Sequence, residues 1–280
     1  MATSLLLYLD TNHLSRLARF PNQSACVDLI ELIRTDGHRL GLTFDHVQEL
    51  SDPNFESRSA VGALLDSVNV EWAPFTDEVF DREVEWAFEF ALTGVAQKRT
   101  VFNPSFVHVY GAPQNAAVPI AQMIDELSQS PDVRKYLPDA AEHGRSLDAR
   151  LKRDAATIRN PEGPILERLM RTPPQRTRSG IVLSAPYPPE EILKRVGGLA
   201  AFPSYQIFQR LAVLRLNDVN FRTEINDLFD EWHACYVPYV DLMLLDRRTA
   251  ARYHDAKLPN QERVLATIED AVLWLRAQSP

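Results

Sequence analysis

The sequence predicts an α/β protein built on a doubly wound parallel sheet, with a mostly α-helical region inserted into it. Three observations carry this expectation. Short apolar runs of strand length recur without alternation, as in strands buried on both faces. Amphipathic helical segments alternate with them. Two of the runs, Leu5 to Leu9 and Val240 to Leu245, stop at an aspartate, Asp10 and Asp246.

After Asp10, Thr11-Asn12 suit the turn into a helix. Cys26, Leu29, Ile30 and Ile33 share one side of a helix expected from Ser24 to Arg34, which Asp36-Gly37 breaks. Leu40 to Phe44 reads as a second strand. Asp45-His46-Val47-Gln48 has the form of a capping box, which would start a helix there and put Glu49 in its first turn. Asn69 to Ala73 reads as a third strand. Thr76-Asp77 would cap an amphipathic helix with Phe80, Val84, Ala87, Phe88 and Ala91 on its core side. From residue 96 to 215 the pattern is helical and broken by prolines, with no strand alternation and no repeat. The alternation resumes with a helix from Phe221 to Tyr236, the run ending at Asp246, a short fifth strand from Arg263 to Thr267 and a closing helix from Ile268 to Ala277. Residues 1–95 and 216–280 are thus expected to form the α/β core around an inserted 96–215.

Composition sets outer bounds. With 280 residues, 45% hydrophobic and 24% charged, the chain can bury a core without disulfides or a structural metal. Cys26 and Cys235 match no metal-ligand spacing and favour a reducing cytoplasm. The opening apolar run is too short for a signal peptide or a membrane span, so a cytoplasmic protein with no membrane contact is expected. The net charge of −8 argues against coating nucleic acid by bulk positive charge. It does not exclude a nuclease, whose acidic metal ligands themselves lower the net charge.

In an open α/β sheet, ligands bind beyond the carboxyl ends of the strands, where the strand order reverses. If the runs ending at Asp10 and Asp246 are neighbours, both carboxylates face that crevice. Glu49 follows the second strand at the same edge. Asp230 lies on the helix feeding the last long run, sixteen positions before Asp246. Four carboxylates in one crevice repel each other, and a hard divalent cation relieves this; oxygen-only ligation suits Mg²⁺ or Mn²⁺ better than zinc. Asp227 and Asp241 rival Asp230 for the third acid, because sequence does not fix the register of that helix. Each acid also has a plainer reading. Asp10 and Asp246 suit helix N-caps, Glu49 a first-turn acid favoured by the helix dipole, and Asp230 and Asp241 surface ion pairs. His233, one turn from Asp230, reads as a packing or surface histidine.

The ordered set strand–Asp10-Thr11-Asn12, strand–helix–Glu49, helix–Asp230, strand–Asp246 resembles the PIN-domain ribonucleases. It is carried by Leu6-Leu7-Tyr8-Leu9-Asp10-Thr11-Asn12, by Val47-Gln48-Glu49-Leu50, and by the stretch from Asp230-Glu231-Trp232-His233 to Asp246-Arg247. The resemblance implies metal-binding acids at Asp10, Glu49, Asp230 and Asp246, a small polar substrate-facing residue at Asn12, and Mg²⁺ or Mn²⁺ as cofactor. It implies hydrolysis of phosphodiester bonds in RNA, with DNA the second candidate substrate. It also allows an inhibitory, antitoxin-like partner and a homo-oligomer. Two other readings compete: a PIN-like scaffold that binds RNA or protein without cutting, and an aspartate-based phosphotransferase, which wants a second Asp where Asn12 stands. Within the insertion, Arg145 to Arg178 gathers nine basic and four acidic side chains. The insertion is expected to pack over or beside the crevice, with Arg171, Arg176 and Arg178 gripping substrate phosphate through paired donors. A merely solvated surface is the plainer alternative.

Overall fold

The computed structural model describes residues 4–52, 55–96, 99–105, 118–129, 159–160, 162–171, 187–217 and 225–278, with single positions at 146, 149, 153 and 155. Its strands are β1 (Leu6–Leu9), β2 (Arg39–Leu42), β3 (Asn69–Trp72), β4 (Leu242–Leu244) and β5 (Val264–Leu265). They form one sheet in the order β3-β2-β1-β4-β5, every neighbouring pair parallel. The chain winds outward from β1 to β3, then returns to the other side of β1 and winds outward again through β4 to β5. The winding therefore reverses between β1 and β4.

Among the described residues, the helices on the amino-terminal side are α1 (Thr11–Arg19), α2 (Ser24–Thr35), α3 (Phe44–Leu50), α4 (Arg58–Asp66), α5 (Thr76–Thr93) and α6 (Ile120–Gln129). Further along, they include α7 (Gly163–Arg171), α8 (Pro189–Arg195), α9 (Pro203–Asn217), α10 (Ile225–Ala234), α11 (Arg247–Asp255) and α12 (Ile268–Gln278). Among the described residues, no helix is long and apolar enough to cross a membrane.

The centre of the sheet is buried on both faces because β1 and β4 are apolar at every position, whereas the edge strand β3, Asn-Val-Glu-Trp, is buried only at Trp72. Leu7 and Leu9 of β1 pack with Leu14 and Leu17 of α1, Leu29 of α2, Val61 of α4, Ile124 of α6 and Val272 of α12. Leu6 and Tyr8, pointing the other way, pack with Ile207 and Leu211 of α9, Ala234 of α10 and Tyr253 of α11. A third cluster covers the far side of α5, where Phe80, Val84 and Phe88 meet Ile165 and Leu169 of α7 and Ile192 of α8. Residues 96–215 are helical wherever they are described, apart from short connections and an isolated bridge between Asn103 and Trp72.

Several local expectations are corrected. The capping box at the start of α3 is Thr43 with His46, and the helix begins at Phe44. The Thr43 hydroxyl outcompetes Asp45 as cap because β2 already ends at Leu42. Glu49 consequently sits in the last turn of α3, not the first. Phe75, not Thr76, precedes α5, and the Thr76 hydroxyl turns inward to the Tyr236 hydroxyl at 3.3 Å. Helices α4 and α11 were not anticipated. Gly62 interrupts the pattern of α4 because a Cβ there would come within 2.7 Å of the Ala121 Cα of α6. In α11, Arg-Arg-Thr-Ala-Ala-Arg-Tyr-His-Asp, only Thr249, Ala250 and Tyr253 are buried, too narrow an apolar stripe to stand out.

Candidate metal centre

The site lies at the carboxyl edge of β1 and β4. The Asp10 N–H donates to the Leu244 carbonyl at 3.0 Å, so both strands deliver their terminal acids side by side. Each aspartate then caps the helix that follows. Asp10 Oδ1 accepts the His13 N–H at 2.8 Å and His13 Nδ1 at 2.6 Å. Asp246 Oδ1 accepts the Arg248 N–H at 2.8 Å and the Thr249 N–H at 3.3 Å. Capping and clustering are not rivals here, because a carboxylate has two oxygens. Asp10 is 2% exposed, and its Oδ2 is buried with no hydrogen-bond partner among the described residues.

Asp230 of α10 completes the group. Asp10, Asp230 and Asp246 each offer a carboxylate oxygen within 4.8 Å of the others. That is the scale set by two Mg²⁺–oxygen bonds of roughly 2.1 Å end to end. The buried, unpartnered Asp10 oxygen and an all-carboxylate donor set fit a hard divalent cation.

The electrostatics fit one as well. Burial pushes the Asp230 carboxyl up, Asp246 pushes further, and Asp10 and Glu49 add to it, so its pKa reaches about 8 against the opposing pull of His233. Asp10 goes the other way. Burial raises its pKa, but the hydrogen bonds and charge of His13, with help from His233, outweigh this and hold it below the usual carboxylate range. His13 also directs Nε2 at the Ala266 carbonyl, 3.3 Å away. Both ring nitrogens then donate, which requires the cationic ring. Burial opposes that charge, but Asp10 and the Ala266 carbonyl raise the His13 pKa.

Glu49 stands next to the three aspartates rather than among them. Its Oε2 accepts a hydrogen bond from the Thr11 hydroxyl and faces His233 Nε2 at 3.4 Å. Behind it lies a buried polar row. His233 Nδ1 is 2.5 Å from the Tyr8 hydroxyl, and that hydroxyl is 3.3 Å from Thr43 Oγ1. Thr43 Oγ1 and backbone N–H reach His46 Nδ1 at 3.0 and 3.1 Å. His46 Nε2 donates to the Leu9 carbonyl at 2.8 Å. Burial and the charge of His233 push the His46 pKa down to about 3, so its ring is neutral. Burial also opposes charge on His233, but its hydrogen bond to Glu49 and the charges of Glu49, Asp45 and Asp230 raise its pKa to about 9. One direction satisfies every group: His233 donates to Tyr8, Tyr8 to Thr43, Thr43 to His46. Asp45, also buried, has its pKa raised to about 6 by desolvation and by Glu49, against His233 and Thr43.

Asp241 does not belong to the group. It precedes β4 at the amino edge of the sheet, where its N–H donates to the Leu6 carbonyl at 2.8 Å and its Oδ2 accepts the Leu6 N–H at 2.8 Å. The length of β1 separates it from Asp10, which corrects its candidacy as a ligand. Asn12 is exposed in the first turn of α1. The side chains of Asp227 and Arg171, and all of Arg176 and Arg178, lie outside the described residues.

Sequence reasoning missed Thr11, His13 and His46 and undervalued His233. A signal was present for the first histidines: Asp10-Thr11-Asn12-His13 and Thr43-Phe44-Asp45-His46 both place a ring three positions after a capping residue, where it can reach back to the cap. No family model, curated protein or solved structure matches the chain.

Proposed function

We propose that this chain is a divalent-cation-dependent nuclease of the PIN-domain kind, hydrolysing phosphodiester bonds in RNA with Mg²⁺ or Mn²⁺. The observation that carries the reading is the convergence of Asp10, Asp230 and Asp246 where the winding reverses, with a buried Asp10 oxygen left unpartnered. A bound cation would supply Lewis-acid activation of water and offset charge on the phosphoryl group.

The chain's own residues prepare for this. His13 fixes the Asp10 carboxyl and keeps it ionised. Asp230, protonated at neutral pH through burial and the charge of Asp246, would release its proton to solvent on binding a cation. Thr11 holds Glu49 beside the three aspartates, where its second oxygen can orient an attacking water. The amino ends of α1 and α11 open at the same edge, so their positive dipole ends favour a phosphate there. Exposed Arg247 follows Asp246 directly and adds a cation within reach of that phosphate. Two free, buried cysteines support action in the reducing cytoplasm.

Cleavage of mixed RNA and DNA substrates, with wild type and Asp10→Asn side by side in EDTA, Mg²⁺ and Mn²⁺, tests the reading. Wild type should cut RNA only with metal, and Asp10→Asn should lose at least a hundredfold. RNA binding without cutting by wild type in either metal would instead favour the scaffold reading.

A further inference from the structure

The acids at this edge come from distant parts of the chain, and one buried side chain on α10, the helix of Asp230, reaches both β1, which leads to Asp10, and α3, which carries Glu49. His233 is 1% exposed and lies one turn after Asp230 on α10. Its Nδ1 meets the hydroxyl of Tyr8, two residues before Asp10 on β1, at 2.5 Å. Its Nε2 faces Glu49 of α3 at 3.4 Å. Its ring also packs against His46, the partner of Thr43 in the capping box of α3, with centroids 4.7 Å apart. Tyr8 is clamped in turn, stacked on Tyr236 at 5.6 Å and 12°. A packing histidine would not need both ring nitrogens directed at polar groups, nor a buried tyrosine hydroxyl set between it and Thr43.

We infer that His233, held by the Tyr8 hydroxyl, is a positioning residue that orients α10 and Glu49 so that Asp230 meets Asp10 and Asp246. The inference rests on the proposed metal centre and adds a supporting layer behind it. Partners behind the ligands of a metal site commonly change metal affinity or activity by about 10–100-fold when removed. Tyr8→Phe deletes only the hydroxyl and keeps the ring stack. His233→Gln keeps an N–H donor toward Glu49 and loses the bond to Tyr8. His233→Leu loses both.

The test is the calorimetric affinity of the intact chain for Mn²⁺, alongside its melting temperature. Tyr8→Phe should bind Mn²⁺ about tenfold more weakly with little change in melting in EDTA. His233→Leu should be weaker still, by about a hundredfold, and His233→Gln should recover part of that loss. Asp10→Asn separates the two claims, because it should abolish binding whatever His233 does. Wild-type affinity in Tyr8→Phe and His233→Gln, with Asp10→Asn inactive in binding, overturns the positioning role and leaves the metal centre standing. Absence of Mn²⁺ binding by wild type overturns both.

Discussion

Asp10 performs two tasks with one carboxyl group. Oδ1 caps α1 and holds His13, and Oδ2 remains for the centre. Asp230 is shifted the other way: burial and the charge of Asp246 raise its pKa to about 8, so it holds a proton at neutral pH. The sign of the consequence follows. An ordinary unfolded Asp titrates near 3.9, so between about pH 4 and 8 the cation-free fold binds a proton that the unfolded chain lacks. Cation-free stability from this group is therefore full at low pH and is lost as pH rises through about 8. On the proposed reading, Mn²⁺ would displace that proton into solvent. Titrations at pH 7 in buffers of different ionisation enthalpy should report close to one proton released per Mn²⁺, falling toward none above pH 9. Heats independent of buffer at pH 7 would contradict the protonated Asp230.

At the scale of elements, the position of α10 decides whether the centre exists, because it brings Asp230 to two acids already fixed by β1 and β4. Beside Asp230, Glu231 points the other way and forms a buried ion pair with Arg215 of α9, Arg215 Nε donating at 3.2 Å. Arg215→Ala leaves Glu231 buried without that cation and should destabilise the fold by about 3–5 kcal/mol, read from the urea midpoint. A loss below about 1 kcal/mol would mean that the pair does not anchor α10. How much of this was legible follows from the elements themselves. β1 and β4 are continuous apolar runs stopped by Asp, so their identity and the edge at which Asp10 and Asp246 emerge could be read directly. The register of α10 could not, because Asp227 and Asp230 look alike until packing brings Asp230 to the crevice and gives its neighbour Glu231 to Arg215. Asp241 misled because it interrupts the run Val240 to Leu245 at its amino end, and only the pairing with Leu6 shows which edge it occupies. His233 gave no outward sign, since its partners Tyr8 and Glu49 lie 225 and 184 positions away.

For the whole molecule, net charge and fold pull against the proposed substrate. A chain of net charge −8 that gathers acids at one sheet edge repels a polyanion. A cation resolves both the local repulsion and the approach of phosphate, so the central claim is that Asp10, Asp230 and Asp246 bind one. Thermal melting of wild type and Asp246→Asn, each in EDTA and in Mn²⁺, tests this most directly. Binding only to the native state at a hundredfold excess over Kd adds about 2.7 kcal/mol, or about 5 °C for a chain of this size. Wild type should gain that much in Mn²⁺, and Asp246→Asn should gain little. Wild-type melts that coincide in EDTA and saturating Mn²⁺ would contradict the claim.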